Sequence, residues 1–191
     1  MRPLSLTPIL LITACAGMNN SKKYASDETD AVEINPAVVE KPSDDGLLLV
    51  EIDLDSDGRP EVFNYYRERT QADRLLVRKE VDLNKDGRVD VRSYYDDGGL
   101  LTKEEMDGDF DGQVDWVDHY QGGRRVMSEV DTDYNATFDL FKYYEEGRIK
   151  RKERDTNGDG RVDFWEHFDD EGNVDKVGKD TTGDGQMDVR E

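Results

Sequence analysis

The chain has 191 residues, of which 38% are charged and 35% hydrophobic, and its formal net charge is −20. That length allows one ordinary domain, or one repeat array with a tail. No basic stripe exists to meet phosphates, which argues against a nucleic-acid partner, and the single cysteine, Cys15, excludes an intramolecular disulfide.

In chain order, Arg2 supplies a short positive segment, and residues 4–13 form an apolar run too short to span a bilayer. Residues 1–14 therefore read as a signal peptide. The sequence Leu11-Ile12-Thr13-Ala14-Cys15 resembles the lipobox of bacterial lipoproteins. The resemblance implies cleavage before Cys15 and acylation of that residue. Each buried methylene contributes about 0.8 kcal/mol, so several acyl chains would hold the protein on a membrane. Residue 16 is Ala rather than Asp, which for a lipoprotein implies the outer membrane or cell surface. Ordinary cleavage after the small residues at 14–16 is the alternative. Residues 15–46 then form the lipidated cysteine and a polar tether with two prolines and no sustained periodicity. The repeat domain is expected over 47–191, opening with a strand at Leu47-Leu48-Leu49-Val50.

From there a nine-residue motif recurs six times, beginning at Asp53, Asp82, Asp107, Asp131, Asp155 and Asp180, with spacings of 29, 25, 24, 24 and 25 residues. Each copy sets side-chain oxygens at loop positions 1, 3, 5 and 9, and five of them have Gly at position 6. Carboxylates crowded in this way repel by roughly 4 kcal/mol per pair at 4 Å and an effective dielectric of 20. A cation is the expected remedy. Ca²⁺ takes six to eight oxygen ligands, Mg²⁺ seldom uses an all-protein cage, and Zn²⁺ prefers the Cys and His that the loops lack. Six such ions would bring the net charge from −20 to −8.

The motif resembles the Asp-x-Asp-x-Asp-Gly-x-x-Asp calcium loops of FG-GAP repeats, and it is similar to those of thrombospondin type 3 repeats and dockerins. The resemblance covers about nine residues per unit and implies metal binding, not one fold. Carried over, the side-chain ligands are Asp53, Asp55, Asp57 and Glu61 in the first loop, Asp82, Asn84, Asp86 and Asp90 in the second, and Asp107, Asp109, Asp111 and Asp115 in the third. The fifth loop has Asp155, Asn157, Asp159 and Asp163, and position 7 adds a backbone carbonyl in each. The fourth departs, with Asn135 at position 5 and Ala136 in place of glycine, leaving Asp131, Asp133 and Asp139; it is expected to be weak or empty. The sixth has Thr182 at position 3 and keeps Asp180, Asp184 and Asp188. Glu80, Glu105, Glu129 and Glu153 recur two residues before a loop and read either as a further ligand oxygen or as solvated strand residues.

Between loops, β-branched and aromatic runs flank Gly-bearing polar turns, which predicts β-hairpins. Only 15 or 16 residues separate position 9 of one loop from position 1 of the next in the four later intervals, too few for two helices. The first connection, Arg67 to Arg74, is longer and has no glycine, which predicts an irregular turn; the last unit leaves a stub of strand at most. Aromatics stand at loop-relative position 14 (Tyr66, Tyr95, Tyr120, Tyr144, Phe168). At position 13 stand Tyr65, Tyr94, His119, Tyr143 and His167. Adjacent strand residues face opposite sides, so both faces are expected to carry aromatic ladders. A glycan- or protein-binding stripe with Trp116 and Trp165 is the functional alternative.

The expectation is an all-β chain of tandem hairpins in an extended antiparallel meander, with a closed barrel or propeller-like array as the alternative. No nucleophile setting or phosphate loop is present, so the chain does not read as an enzyme. A calcium-binding lipoprotein with a structural, adhesion or protein-interaction role in the envelope is the favoured reading. A glycan-binding module, or an accessory lipoprotein of a motility or secretion machine, is the alternative.

Overall fold

The structure is a computed structural model that describes residues 36–70 and 73–190. Its thirteen strands are β1 (Ala37–Pro42), β2 (Leu48–Asp53), β3 (Val62–Thr70), β4 (Asp73–Val81), β5 (Val91–Tyr95), β6 (Leu101–Met106), β7 (Trp116–Gln121), β8 (Arg124–Val130), β9 (Leu140–Glu145), β10 (Arg148–Arg154), β11 (Phe164–Phe168), β12 (Val174–Lys179) and β13 (Val189–Arg190). They form one sheet in sequence order, every neighbouring pair antiparallel. The sheet is an open meander and does not close into a barrel. Short connections favour this topology, because an antiparallel pair needs only a hairpin whereas a parallel one needs a crossover.

Two details differ from the sequence reading. β1 lies inside the segment assigned to the tether, where Ala37 to Pro42 pair residue for residue with Asp53 to Leu48. Its side chains are all exposed, so backbone hydrogen bonds and the ion pairs Lys41–Glu51 (2.8 Å) and Glu40–Arg74 (2.9 Å) hold it, and no hydrophobic pattern betrays it. The long first connection is mostly extra strand: β3 and β4 have nine residues each, and Glu68 and Thr70 still pair with Arg74 and Asp73. The stub expected at the C-terminal end is the two-residue β13.

The chain alternates ends with each strand. All six acidic loops therefore emerge at one end of the strands and the polar turns at the other. The turn between β7 and β8 is Gly122-Gly123, with φ of 57° and 73°, the left-handed pair that a two-residue hairpin matched to sheet twist requires. On the returning strand of five hairpins one residue is skipped in the pairing: Val77, Thr102, Val126, Lys150 and Asp175, each opposite the step from position 13 to position 14. These β-bulges recur with the period of the sequence and increase the local right-handed twist.

Few of the described side chains are buried. The apolar ones are Leu49, Val50, Val117, Val130 and Leu140. No second layer covers either face among the described residues, so cross-strand pairs supply much of the stabilisation. On one face, Arg78 lies 3.8 Å from the centre of the Tyr65 ring, Lys103 4.4 Å from that of Tyr94 and Arg151 4.0 Å from that of Tyr143. The tyrosine hydroxyls donate to Glu80, Glu105 and Glu153 at 3.0, 3.1 and 3.0 Å. The same glutamates pair with the same cations, at 3.1 Å (Arg78–Glu80), 2.7 Å (Lys103–Glu105) and 3.0 Å (Arg151–Glu153). In the β7–β8 hairpin His119 takes the tyrosine's place, 2.6 Å from Glu129. The opposite face centres on Asp118, which accepts from Trp116 Nε1 at 2.8 Å, Arg125 Nη1 at 3.0 Å and the fully buried Ser128 hydroxyl.

Candidate metal sites on the loop edge

Every acidic loop has the same skeleton. Positions 4 and 6 are left-handed throughout: Ser56 and Gly58 (φ 62° and 93°), Lys85 and Gly87 (64° and 92°), Phe110 and Gly112 (66° and 98°), Tyr134 and Ala136 (59° and 68°), Gly158 and Gly160 (74° and 84°), Gly183 and Gly185 (78° and 81°). Such kinks turn successive N–H groups inward. The position 1 carboxylate accepts the N–H of residue 6 in each loop, at 2.8 Å for Gly58 to Asp53, 2.8 Å for Gly87 to Asp82 and 2.7 Å for Gly112 to Asp107. The remaining three are Ala136 to Asp131 at 2.7 Å, Gly160 to Asp155 at 2.7 Å and Gly185 to Asp180 at 2.6 Å. Position 5 accepts the N–H of position 7, as in Arg59 to Asp57 at 2.8 Å and Gln113 to Asp111 at 2.7 Å. These are Asx turns, the local bonding that suits Asp and Asn to loops.

Position 9 is a junction. Its N–H donates to the carbonyl just before the loop, as Asp115 does to Met106 at 2.9 Å. Its carboxylate accepts the N–H of position 2, as Glu61 does from Leu54 at 2.7 Å and Asp115 from Gly108 at 2.6 Å. Its carbonyl accepts the N–H of position 1 in the next loop. These bonds run from Asp82 to Glu61 (2.9 Å), Asp107 to Asp90 (2.8 Å), Asp131 to Asp115 (2.8 Å), Asp155 to Asp139 (2.9 Å) and Asp180 to Asp163 (2.9 Å). The loops are thus stacked and bonded in series along one edge, roughly 10 Å apart, two strand spacings.

Three loops gather carboxylate oxygens within 4.8 Å of one another: Asp53, Asp55, Asp57 and Glu61; Asp107, Asp109 and Asp115; and Asp180, Asp184 and Asp188. Among the described residues no other trio of carboxylate, imidazole or thiol groups lies as close. The third loop leaves Asp111 outside its group, with Gln113 donating to both of its oxygens. The carboxylates of the second loop (Asp82, Asp86, Asp90), the fourth (Asp131, Asp133, Asp139) and the fifth (Asp155, Asp159, Asp163) stand further apart. In the second, the Asn84 amide donates to Asp86 Oδ2 at 3.2 Å; in the fifth, the Thr156 hydroxyl donates to both oxygens of Asp163, at 2.8 and 2.9 Å. Asn84 and Asn157 turn their carbonyl oxygens to the N–H of Asp86 and Asp159, both at 2.9 Å. Cys15 lies outside the described residues.

Burial distinguishes the positions. Asp53, Asp82, Asp107, Asp131 and Asp155 at position 1, and Glu61, Asp90 and Asp115 at position 9, are buried, whereas positions 3 and 5 are exposed. One oxygen of Glu61, of Asp90 and of Asp107 is buried without a hydrogen-bond partner, in residues only 4%, 2% and 3% exposed. The other oxygen of each accepts backbone N–H groups; a buried oxygen without a donor is costly, and a cation would be a fitting partner for it. Electrostatics agree at Asp109: desolvation raises its pKa, and the neighbouring Asp111, Asp115 and Asp107 raise it further against one backbone hydrogen bond. At Asp131, Asp155 and Asp180 desolvation pushes the pKa upward, but backbone N–H donors outweigh it and the net shift is downward. Asp55 is held low chiefly by its hydrogen bond from Lys85. The donor sets are all oxygen, and those of the first three loops each include a buried oxygen without a hydrogen-bond partner, which fits a hard divalent cation.

The glutamates that precede the loops have another task. Glu80, Glu105, Glu129 and Glu153 belong to the aromatic face, bonded to Tyr65, Tyr94, His119 and Tyr143. Sequence reading missed the left-handed position 4; the recurring Gly158 and Gly183 were its available signal.

No family model matches the chain, and no curated protein matches it. Among solved structures, a chain from the crystal structure of accessory secretory protein 1, 2 and 3 in Streptococcus pneumoniae is similar over 63% of this chain, at 12% identity and a TM-score of 0.35. This chain spans about 19% of the length of that one. At that score and identity the likeness carries no argument about fold or function.

Proposed function

We propose that the chain is a calcium-binding, membrane-anchored surface lipoprotein whose sheet has a structural, adhesive or protein-interaction role in a bacterial envelope. The observation that carries the calcium reading is the set of buried loop oxygens, on Glu61, Asp90 and Asp107, that accept no hydrogen bond. Donor sets of oxygen alone suit Ca²⁺ better than Mg²⁺ or Zn²⁺. Loops of this kind with dissociation constants near 10⁻⁴–10⁻³ M fill at extracellular calcium. The anchoring part rests on the sequence around Cys15. An open sheet of hairpins presents a long surface, which suits recognition of an envelope partner.

The glycan alternative is less favoured. The rings of Tyr65, Tyr94, Tyr143 and Tyr144 are already covered by Arg78, Lys103, Arg151 and Arg125, and that of Trp116 by Lys142 at 4.2 Å. A stacking platform needs free faces.

Calorimetric titration of the full chain with Ca²⁺ tests the metal reading. At least three ions should bind, and Asp107→Asn should remove or weaken one of them. Fewer than two bound ions would overturn it. Acylation is checked separately by labelled fatty-acid incorporation, which should vanish in Cys15→Ser.

A further inference from the structure

The first loop carries four carboxylates within 4.8 Å of one another, the largest such group in the described sheet. Its position 3 and position 9 carboxylates are reached by a positive side chain of the chain itself. Lys85, at position 4 of the second loop, places its ammonium against Asp55 Oδ2, to which it donates, and 3.7 Å from Glu61 Oε1. That Glu61 oxygen is buried and accepts no hydrogen bond. Lys85 is held in place by its backbone: its φ is 64°, and its N–H donates to Asp82 Oδ1 at 2.6 Å. Asp82 in turn donates its N–H to the carbonyl of Glu61 at 2.9 Å. The third loop has no equivalent. The arginine that reaches it, Arg88, donates to the Asp111 backbone carbonyl at 3.1 Å and leaves the carboxylates alone.

We propose that the Lys85 ammonium is a built-in counter-ion of the first loop, which Ca²⁺ must displace to enter. The inference rests on the calcium reading above and adds a regulation to it. An ammonium is one charge with three donors and cannot satisfy four carboxylates, so a divalent ion wins at sufficient concentration. Until then the lysine neutralises part of the loop, and the first loop fills at a higher calcium concentration than its carboxylate count alone implies. Displacement frees the side chain of a residue whose backbone stays bonded in the second loop, its N–H on Asp82 Oδ1.

The test is a Ca²⁺ titration of the full chain followed by ¹H–¹⁵N NMR, with the Gly58 amide reporting the first loop and the Gly112 amide the third. In Lys85→Gln the Gly58 midpoint should move about threefold lower, the scale expected from a half-exposed ion pair, while Gly112 keeps its midpoint. Lys85→Gly, which suits the left-handed backbone, should do the same, and Lys85→Arg should stay near the parent value. A Gly58 midpoint unchanged or raised in both neutral variants, with Gly112 still titrating, overturns the counter-ion and leaves calcium binding intact. No response at either amide in the parent chain overturns both.

Discussion

At the scale of single residues, the loops are held by groups in unusual settings, and each setting has a measurable cost. Ala136 sits at φ 68° where the other five loops have glycine. A left-handed L-residue costs roughly 1–2 kcal/mol, so Ala136→Gly should stabilise the fold by about 1 kcal/mol in urea unfolding; no gain would mean that the loop backbone relaxes without cost. The position 1 carboxylates make a second prediction. Asp131, Asp155 and Asp180 have pKa values below the ordinary one of 3.8 because their backbone donors outweigh desolvation. A depressed carboxylate stabilises the fold fully above its unfolded pKa and loses that contribution as pH falls through the lower folded value. Unfolding followed by circular dichroism in chelator should therefore be flat with respect to these groups above about pH 5 and weaken below about pH 4. Stability that rises on acidification through that window would contradict the assignment. The ligand pattern itself was legible in the sequence, because Asp and Asn at alternate positions are side chains that bond their own backbone two residues on. The left-handed position 4 was obscured, since Ser56, Lys85, Phe110 and Tyr134 share no chemistry that announces a positive φ.

At the scale of strands and hairpins, the alternation of apolar and polar residues and the Gly-bearing turns were enough to read an antiparallel meander. The periodic bulges were not, because the skipped residues Val77, Thr102, Val126, Lys150 and Asp175 have nothing in common but position. β1 was missed for a related reason: an edge strand with every side chain exposed leaves no hydrophobic period. The aromatic ladder was legible, but its partners were not. Sequence position alone suits Glu105 to a metal as well as to a strand; in the sheet its Oε2 accepts from Tyr94 and its Oε1 pairs with Lys103. Glu105→Gln should therefore cost about 1 kcal/mol of stability, with or without calcium, and leave the ion titration of the third loop unchanged. A weakened titration with unaltered stability would return Glu105 to the metal site.

At the scale of the whole sheet, the distribution of charge is the dominant fact. Six acidic loops share one edge, bonded in series through position 9 to position 1, with the carboxylate buried at position 1 in the first five loops and at position 9 in the first three. Against desolvation, backbone donors hold Asp131, Asp155 and Asp180 low, while desolvation and neighbouring carboxylates raise Asp109, so the negative charge persists along a single line, and cation binding at that line should stabilise the strands that feed it. A ligand that binds only the folded state contributes RT ln(1 + [L]/Kd), about 1.4 kcal/mol per site at ten times Kd. The most direct test is the urea midpoint of the full chain in excess calcium, compared with the same chain in chelator and in equimolar magnesium. Calcium should raise the midpoint clearly and magnesium much less. An unchanged midpoint in all three would contradict the claim that the loop edge is closed by Ca²⁺.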